Sequence, residues 1–423
     1  MKLSPSRRTV VVIWFVWALI MIGYQVYVRA RFQPDRPDYA VAYWTPNETQ
    51  ADSQNERPYL LEPFLNDHVS WDSEYYLSIA LGGYADPQMR SIPPDFNWNY
   101  PQIALKSEAP DDWVSMNHAF FPFYSLAMRV LYYPLQIFGL NAIATATLSG
   151  VIVSLLGTLL AMLALQDLAR DDLGEPGGVR AAFYLIIFPA GMFLAQVYTE
   201  GLFLGLSFAT LALARRQKWI WAALLAMGAV WTRAAGGLLL IPLLWYWWKS
   251  GGLQRLRQHF SWREAGTLLA LFSPVLAYVI WNALLGQPFH LIESNFFSRG
   301  LLLIDQSFDA WRTAWEAMID GRYSAERVYY LIEFAAIAFG VITCLLMWRR
   351  DKALMVYGLA TIVFALTSGA AQGMHRYVMA APAVFLVPAL WGKREAFDRT
   401  WTLGNVLLMG IYAAMFSFDF WAG

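Results

Sequence analysis

Long apolar runs separated by short basic breaks dominate the chain, and they set its architecture before any single residue is considered. Eleven runs read as helices, at about 9 to 29, 141 to 166, 181 to 199, 201 to 214, 219 to 232, 236 to 248, 265 to 285, 328 to 348, 353 to 370, 377 to 391 and 401 to 418. Between them lie Arg7-Arg8, Arg170 and Arg180, Arg215-Arg216 with Lys218, Lys249 to Arg263, Arg349-Arg350 with Lys352, and Lys393-Arg394. If the N-terminus is cytoplasmic, every one of these breaks falls on the cytoplasmic side, as the insertion bias of Lys and Arg requires. The pattern predicts an all-α polytopic membrane protein, one transmembrane unit over residues 1–423.

The agreement holds only if residues 119–139 do not cross the membrane. They read as a helix lying in the outer interface, bounded by Pro122 and Pro134, with Arg129 snorkelling to headgroups. Residues 30–140 then form the first extracytoplasmic loop and 286–327 the second. In the first, Gln33 to Pro63 reads as irregular, whereas Asp72 to Leu81 spaces Tyr75, Tyr76, Ile79 and Ala80 along one face of a second interfacial helix. The second loop holds Phe308, Trp311, Trp315 and Met318 at helical spacing, as a cap over the outer mouth. Residues 201–214 would reach only about 21 Å against a hydrocarbon core of about 30 Å. Helices that short can end in the membrane only where protein or a water-filled cavity covers their free backbone groups, so an outward-opening cavity is expected.

Composition narrows the class. With 58% hydrophobic and 15% charged residues the chain has too little polar surface to be a soluble domain. A formal net charge of zero points to no nucleic-acid partner. Cys344 is the only cysteine, so one chain can build neither a disulfide nor a thiolate cluster. Basic residues before Thr9, followed by apolar residues to Val28 with no small-residue cleavage pattern, read as a retained first span. Asn47-Glu48-Thr49 matches a glycosylation sequon, a pattern too frequent to decide the host. The tryptophans at 245, 247 and 248 read as an interfacial belt.

Candidate chemistry begins at Trp71-Asp72-Ser73-Glu74-Tyr75-Tyr76, two acids among aromatics just after the first span. A carboxylate there can meet a lipid-borne reactant, and Asp72 is suited to act as a general base on a hydroxyl. The plainer reading makes Asp72 a helix cap and Glu74 a complement to the helix dipole. Glu74 could otherwise orient the base or bind acceptor hydroxyls. Arg233 interrupts an apolar stretch, where an unpaired guanidinium is expensive. It could hold a phosphate or pair with Glu200, which could itself bind acceptor. Arg376, in His375-Arg376-Tyr377, follows the same phosphate logic, against a plainer role at headgroups. His375 and His118 could reach the same site. The five histidines show no pairing with a carboxylate at metal-binding spacing, so no cofactor is expected, although Asp72 and Glu74 could recruit a divalent cation. A Gly-rich phosphate loop within a βαβ unit is also absent, which argues against a nucleotide-sugar donor.

Several segments in order resemble one family: Trp71-Asp72 with Tyr75-Tyr76 and Gly83-Tyr84, Phe120-Phe121-Pro122, Tyr198-Thr199-Glu200, Thr232-Arg233, and Arg376-Tyr377. They are similar to the PIG-V-like mannosyltransferases, multi-span glycosyltransferases of the GT-C class, over about residues 65 to 390. The resemblance implies a GT-C-like bundle and transfer of a sugar, typically mannose, with inversion, from a polyprenyl-phosphate carrier to a lipid or glycan acceptor. It also implies that the acid of the first outer loop, here Asp72, is catalytic. Departures are Gly201 after Tyr198-Thr199-Glu200 and a long insert between Tyr84 and Phe120, which leaves the acceptor open. The implied setting is multi-pass and membrane-embedded, in the bacterial inner membrane or the endoplasmic reticulum, with the site extracytoplasmic and room for a small partner subunit. The competing reading is a transporter or flippase of a lipid-linked sugar, since buried charges and broken helices also mark substrate paths. A non-catalytic assembly subunit is a third.

Overall fold

A computed structural model describes residues 4–34, 54–258 and 262–422. The sequon at Asn47 and most of the segment expected to be irregular lie outside the described residues. The helices run α1 (Pro5–Arg31), α2 (Pro58–Leu61), α3 (Ser73–Leu81), α4 (Pro122–Leu135), α5 (Ala142–Ile186), α6 (Glu200–Arg215), α7 (Trp219–Val230), α8 (Leu240–Lys249) and α9 (Gly252–Gln258). They continue with α10 (Trp262–Leu271), α11 (Ser273–Asn295), α12 (Ile304–Asp320), α13 (Ser324–Leu346), α14 (Lys352–Leu366), α15 (Met374–Tyr377), α16 (Ala383–Trp391) and α17 (Glu395–Ser417). Between α3 and α4 a small antiparallel sheet forms from β1 (Arg90–Ile92), β2 (Ala104–Leu105) and β3 (Val114–Ser115), with β1 in the middle. The all-α polytopic class is as expected.

The count of eleven spans is not confirmed. Among the described residues five helices are long and apolar enough to cross a membrane, or six if a bent pair is taken as one span. The breaks take a different form from the reading. Residues 167–180 do separate two helices, but as a tight reversal rather than a loop: α5 is two helices meeting at Gly174 (φ 70°), and the chain folds back so closely that a Cβ at Gly178 would lie 2.9 Å from the Gln166 carbonyl oxygen. The expected helix at 181–199 ends instead in a tight turn, Pro189–Ala195, bent by 99° from α6. The second outer loop was expected to begin at 286, yet α11 continues to Asn295 with Pro288 inside it.

The two expected interfacial helices also differ from their reading. In α3, Ser73 through Ala80 are all buried, so this helix belongs to the interior. In α4, Pro122 starts the helix as expected, but Pro134 lies within its last turn, and Gly139 at φ 67° closes the turn that follows. Arg129 donates to the Leu81 carbonyl at 3.1 Å, which closes the C-terminal end of α3.

Shared acids gather three of the basic breaks on one face. Asp167 pairs with Arg7 (3.8 Å), Arg170 (3.3 Å) and Arg216 (2.6 Å), and Asp172 with Arg215 (3.5 Å). Arg215 ends α6 while Glu200 begins it, a separation of about 24 Å at 1.5 Å per residue. At that far end, Gln25 near the end of α1 donates to the Asp67 carbonyl (2.7 Å), and His68 and Val197 exchange backbone contact through Val197 N–H to His68 O (3.0 Å). Ser70 Oγ donates to Asp419 (2.7 Å). The loop that carries Asp72 is thereby clamped to α1, to the turn before α6 and to the segment after α17.

His68 gives this clamp a pH dependence. Its ring is fully buried, Nδ1 lies 3.1 Å from the Ala195 carbonyl, and burial holds its pKa down from 6.5 to about 4. The folded state therefore refuses a proton that the unfolded chain accepts, and stability is lost as pH falls from 6.5 toward 4. The gap corresponds to about 3 kcal/mol. Thermal melts of the detergent-solubilised protein should show a falling midpoint through this window, and His68→Gln should flatten the slope. An equal slope in the variant would assign the acid sensitivity elsewhere.

Candidate active site

The short α6 exists because its N-terminus is covered by protein around a cavity, as its length required. Its first residue, Glu200, is seated by close packing on α5: a Cβ at Gly201 would come 2.3 Å from the Ser154 carbonyl oxygen. The glycine that departs from the family pattern thus allows the carboxylate to be carried against α5, where Ser154 Oγ also bonds the Tyr198 carbonyl (3.0 Å). Glu200 Oε1 receives Arg233 Nη1 at 2.5 Å and lies 3.2 Å from Arg376 Nε, with Oε2 buried and without a hydrogen-bond partner among the described residues. One carboxylate therefore serves two guanidiniums. Arg233 precedes the tight turn Ala234–Leu239, where Gly236 lets the chain fold back on α7: a Cβ there would lie 2.5 Å from backbone atoms of Ala229 and Val230.

Three guanidiniums converge on one ring. The Cζ atoms of Arg233, Arg376 and Arg299 lie 5.2, 5.3 and 5.6 Å from the centre of the Tyr377 ring. Arg299 forms no ion pair among the described residues, and its Nη1 has only a long bond of 3.5 Å to Ser368 Oγ. It is the cation of this set most open to an incoming anion.

Asp72 lines the same cavity, which measures about 740 Å³. It precedes α3 but its side chain makes no capping bond, so the plainer reading as a cap is not what the geometry gives. Its backbone N–H donates to Tyr198 Oη at 3.1 Å, and Trp71 before it sits at φ 55°, a conformation that needs support from its surroundings. That support comes in part from Trp421, whose ring meets Trp71 edge-on at 4.8 Å. Burial raises the Asp72 carboxyl above its ordinary value; Arg376 is the strongest charge opposing this, Glu200 reinforces it, and Arg233 and Arg299 oppose it further. One wall of the cavity is apolar, formed by Phe203, Leu204, Leu238, Phe364, Ala365 and Met379.

Of the residues expected at the site, Asp72, Glu74, Glu200, Arg233 and Arg376 all line this cavity. Glu74 is buried and bound by Arg90, with Arg57 at 4.0 Å. His118 and His375 do not line it. His118 Nδ1 bonds the Ser115 carbonyl (2.9 Å), its ring lies against Tyr84, and burial lowers its pKa. His375 is committed on both sides, Nδ1 to Glu333 (2.6 Å) and Nε2 to the Ala422 carbonyl (3.0 Å), so it cannot reach a phosphate. Among the described residues no three His, Cys, Asp or Glu side chains are grouped to hold a metal ion. Sequence reasoning missed Arg90, Trp98, Glu293 and Arg299, all of which line the cavity.

Comparison with known proteins gives partial matches. The chain is 31% identical to the GPI alpha-1,6-mannosyltransferase 2 of Mus musculus over 209 residues, 48% of this chain but only 36% of that protein's length. Among solved structures it is similar to ArnT from Cupriavidus metallidurans bound to undecaprenyl phosphate, with 13% identity, a TM-score of 0.43, and 83% of this chain and 72% of that one covered. It is also similar to the archaeal oligosaccharyltransferase AglB from Archaeoglobus fulgidus in complex with an inhibitory peptide and a dolichol-phosphate. That likeness has 14% identity and a TM-score of 0.43, and covers 97% of this chain and 55% of the other. Residues 109–282 match the mannosyltransferase (PIG-V) family, and the resemblance read from Phe120-Phe121-Pro122, Tyr198-Thr199-Glu200 and Thr232-Arg233 is borne out there.

Proposed function

We propose that this chain is an inverting glycosyltransferase that moves a sugar, mannose by the family likeness, from a polyprenyl-phosphate carrier to a lipid or glycan acceptor. The observation that carries this reading is one cavity holding an uncapped carboxylate, three convergent guanidiniums and an apolar wall. The guanidiniums suit the phosphate of the carrier, with Arg299 as its first contact, and the apolar wall suits the adjoining prenyl chain. Asp72 takes the proton of the acceptor hydroxyl as its oxygen bonds to the anomeric carbon. The bond from that carbon to the phosphate oxygen breaks on the opposite face, and the polyprenyl phosphate leaves with the electron pair. Charge grows on the phosphate as it departs, where fixed cations stabilise it most.

The ends of α6 support a sidedness. The basic face around Asp167 suits the cytoplasm, so the cavity at the other end opens to the extracytoplasmic side. Purified protein in proteoliposomes, supplied with radiolabelled polyprenyl-phosphate mannose and a membrane-lipid acceptor fraction, should release polyprenyl phosphate and label the acceptor. Movement of intact donor across the bilayer without cleavage would replace the enzyme with a transporter.

The electrostatics predict the acid limb. Activity requires ionised Asp72, so kcat/KM should fall as pH drops through a midpoint above the ordinary 3.8. Arg376→Gln removes the largest charge opposing protonation and should move that midpoint upward. A midpoint unmoved in the variant would separate the limb from Asp72.

A further inference from the structure

The insert between Tyr84 and Phe120 is ordered, and it delivers side chains to the cavity. Its central strand β1 pairs Arg90 with Leu105 and Ser91 with both Ala104 and Ser115. Behind the strand Ile92 and Phe96 are buried against Ala119 and Ile292, which docks the insert on α11. Arg90, at the start of β1, reaches Glu74 and donates to Tyr75 Oη at 3.0 Å. The two acids flanking Ser73 thus have different companions: Asp72 faces the arginines of the phosphate side, while Glu74 is held by Arg90 and Arg57.

Trp98 is the second side chain that the insert brings to the cavity wall. Its indole Nε1 donates to the Phe296 carbonyl (3.2 Å), and its ring lies 4.9 Å from Phe296 and meets Phe96 edge-on at 5.2 Å. The adjacent backbone is tied down as well, with Asn295 Nδ2 donating to the Pro94 carbonyl at 3.1 Å. Even so, Trp98 is 53% exposed. A large ring fixed on its edge and by its polar atom, yet left open on the cavity, offers a rigid apolar surface at little further entropic cost. Tyr100 nearby, at 82% exposure and outside the cavity lining, has no such restraint and fits an ordinary interfacial aromatic.

We infer that the insert over residues 85–119 builds the acceptor subsite, and that its ligand is a neutral saccharide of the acceptor, stacked on Trp98 with hydroxyls on Glu74 and Arg90. Sugar rings present a C–H face and a rim of hydroxyls, which an indole face beside a carboxylate–guanidinium pair complements on both counts. Two residues along the chain, Asp72 lies at hand for the hydroxyl so presented. The inference rests on the transferase reading above, because it is that reading which leaves this wall of the cavity to the acceptor.

Saturation-transfer NMR on the full-length detergent-solubilised protein tests it, with methyl glycosides of mannose, glucose and N-acetylglucosamine as neutral probes and inositol 1-phosphate as the anionic one. At least one neutral glycoside should bind the wild type, bind Trp98→Ala about tenfold more weakly, and recover most of its affinity in Trp98→Phe. Trp98→Ala should also raise KM for the acceptor while leaving donor KM in place. No neutral glycoside bound, binding of inositol 1-phosphate alone, or undiminished glycoside binding by Trp98→Ala would each overturn the subsite. Failure of the wild type to cleave any donor, with Trp98-dependent glycoside binding intact, would strike the transferase reading instead.

Discussion

Replacing Asp72 with asparagine is expected to lower kcat for sugar transfer by about a hundred to ten-thousand-fold, the range over which a positioned base contributes. The substitution keeps the size of the side chain and removes its negative charge, and with it the ability to take a proton. Little else should change, because Asp72 caps no helix and its link to Tyr198 runs through the backbone N–H. Expression and thermal midpoint should therefore stay near the wild type, and donor binding should not weaken, so that the loss falls on the chemical step rather than on folding or binding. Turnover within a few-fold of the wild type would remove Asp72 from the reaction. The matched family segment, residues 109–282, does not include this position, so the experiment decides a role that the likeness leaves open.

The sequence made the charged centre of the cavity legible for a physical reason. A carboxylate or guanidinium within apolar or aromatic surroundings is costly unless something repays it, and Asp72, Glu74, Glu200, Arg233 and Arg376 all stand out on that ground. Arg299 and Glu293 did not, since they fall where a Pro and a Gly, Pro288 and Gly286, imitate the start of a loop. In the fold, Phe289 packs on Phe121 and Trp281, and this contact carries α11 past the proline to Asn295. Arg90 and Trp98 were hidden in an insert whose strands are two or three residues long, too short to show alternation. The break at 167–180 was legible, but its form was not: ion pairs with the ends of α1 and α6 let the charges at 167–172 sit on helix up to the reversal at Gly174 instead of in a loop. His375 was drawn toward the site by its neighbour Arg376; pairing across the fold with Glu333, distant in sequence, took it away.

A larger loss of stability is expected at Glu200 than at any other residue of the cavity. It is 3% exposed and its Oε1 stands between Arg233 (2.5 Å) and Arg376 (3.2 Å), so Glu200→Gln leaves two partly buried guanidiniums without the carboxylate that pairs them. Breaking a buried ion pair by removing one partner costs about 3–5 kcal/mol. Arg299→Gln provides the contrast: with no ion pair among the described residues and only a long bond to Ser368, its removal should leave stability within about 1 kcal/mol while weakening donor binding. Thermal melts beside donor KM for the two variants would separate a residue that holds the cations in place from one that meets the substrate. The double variant Glu200→Gln/Arg376→Gln should recover part of the loss, because it removes one of the two repelling charges. If Glu200→Gln melts with the wild type, the triad is not what holds this end of α6, and the cations must be balanced by another group in the cavity.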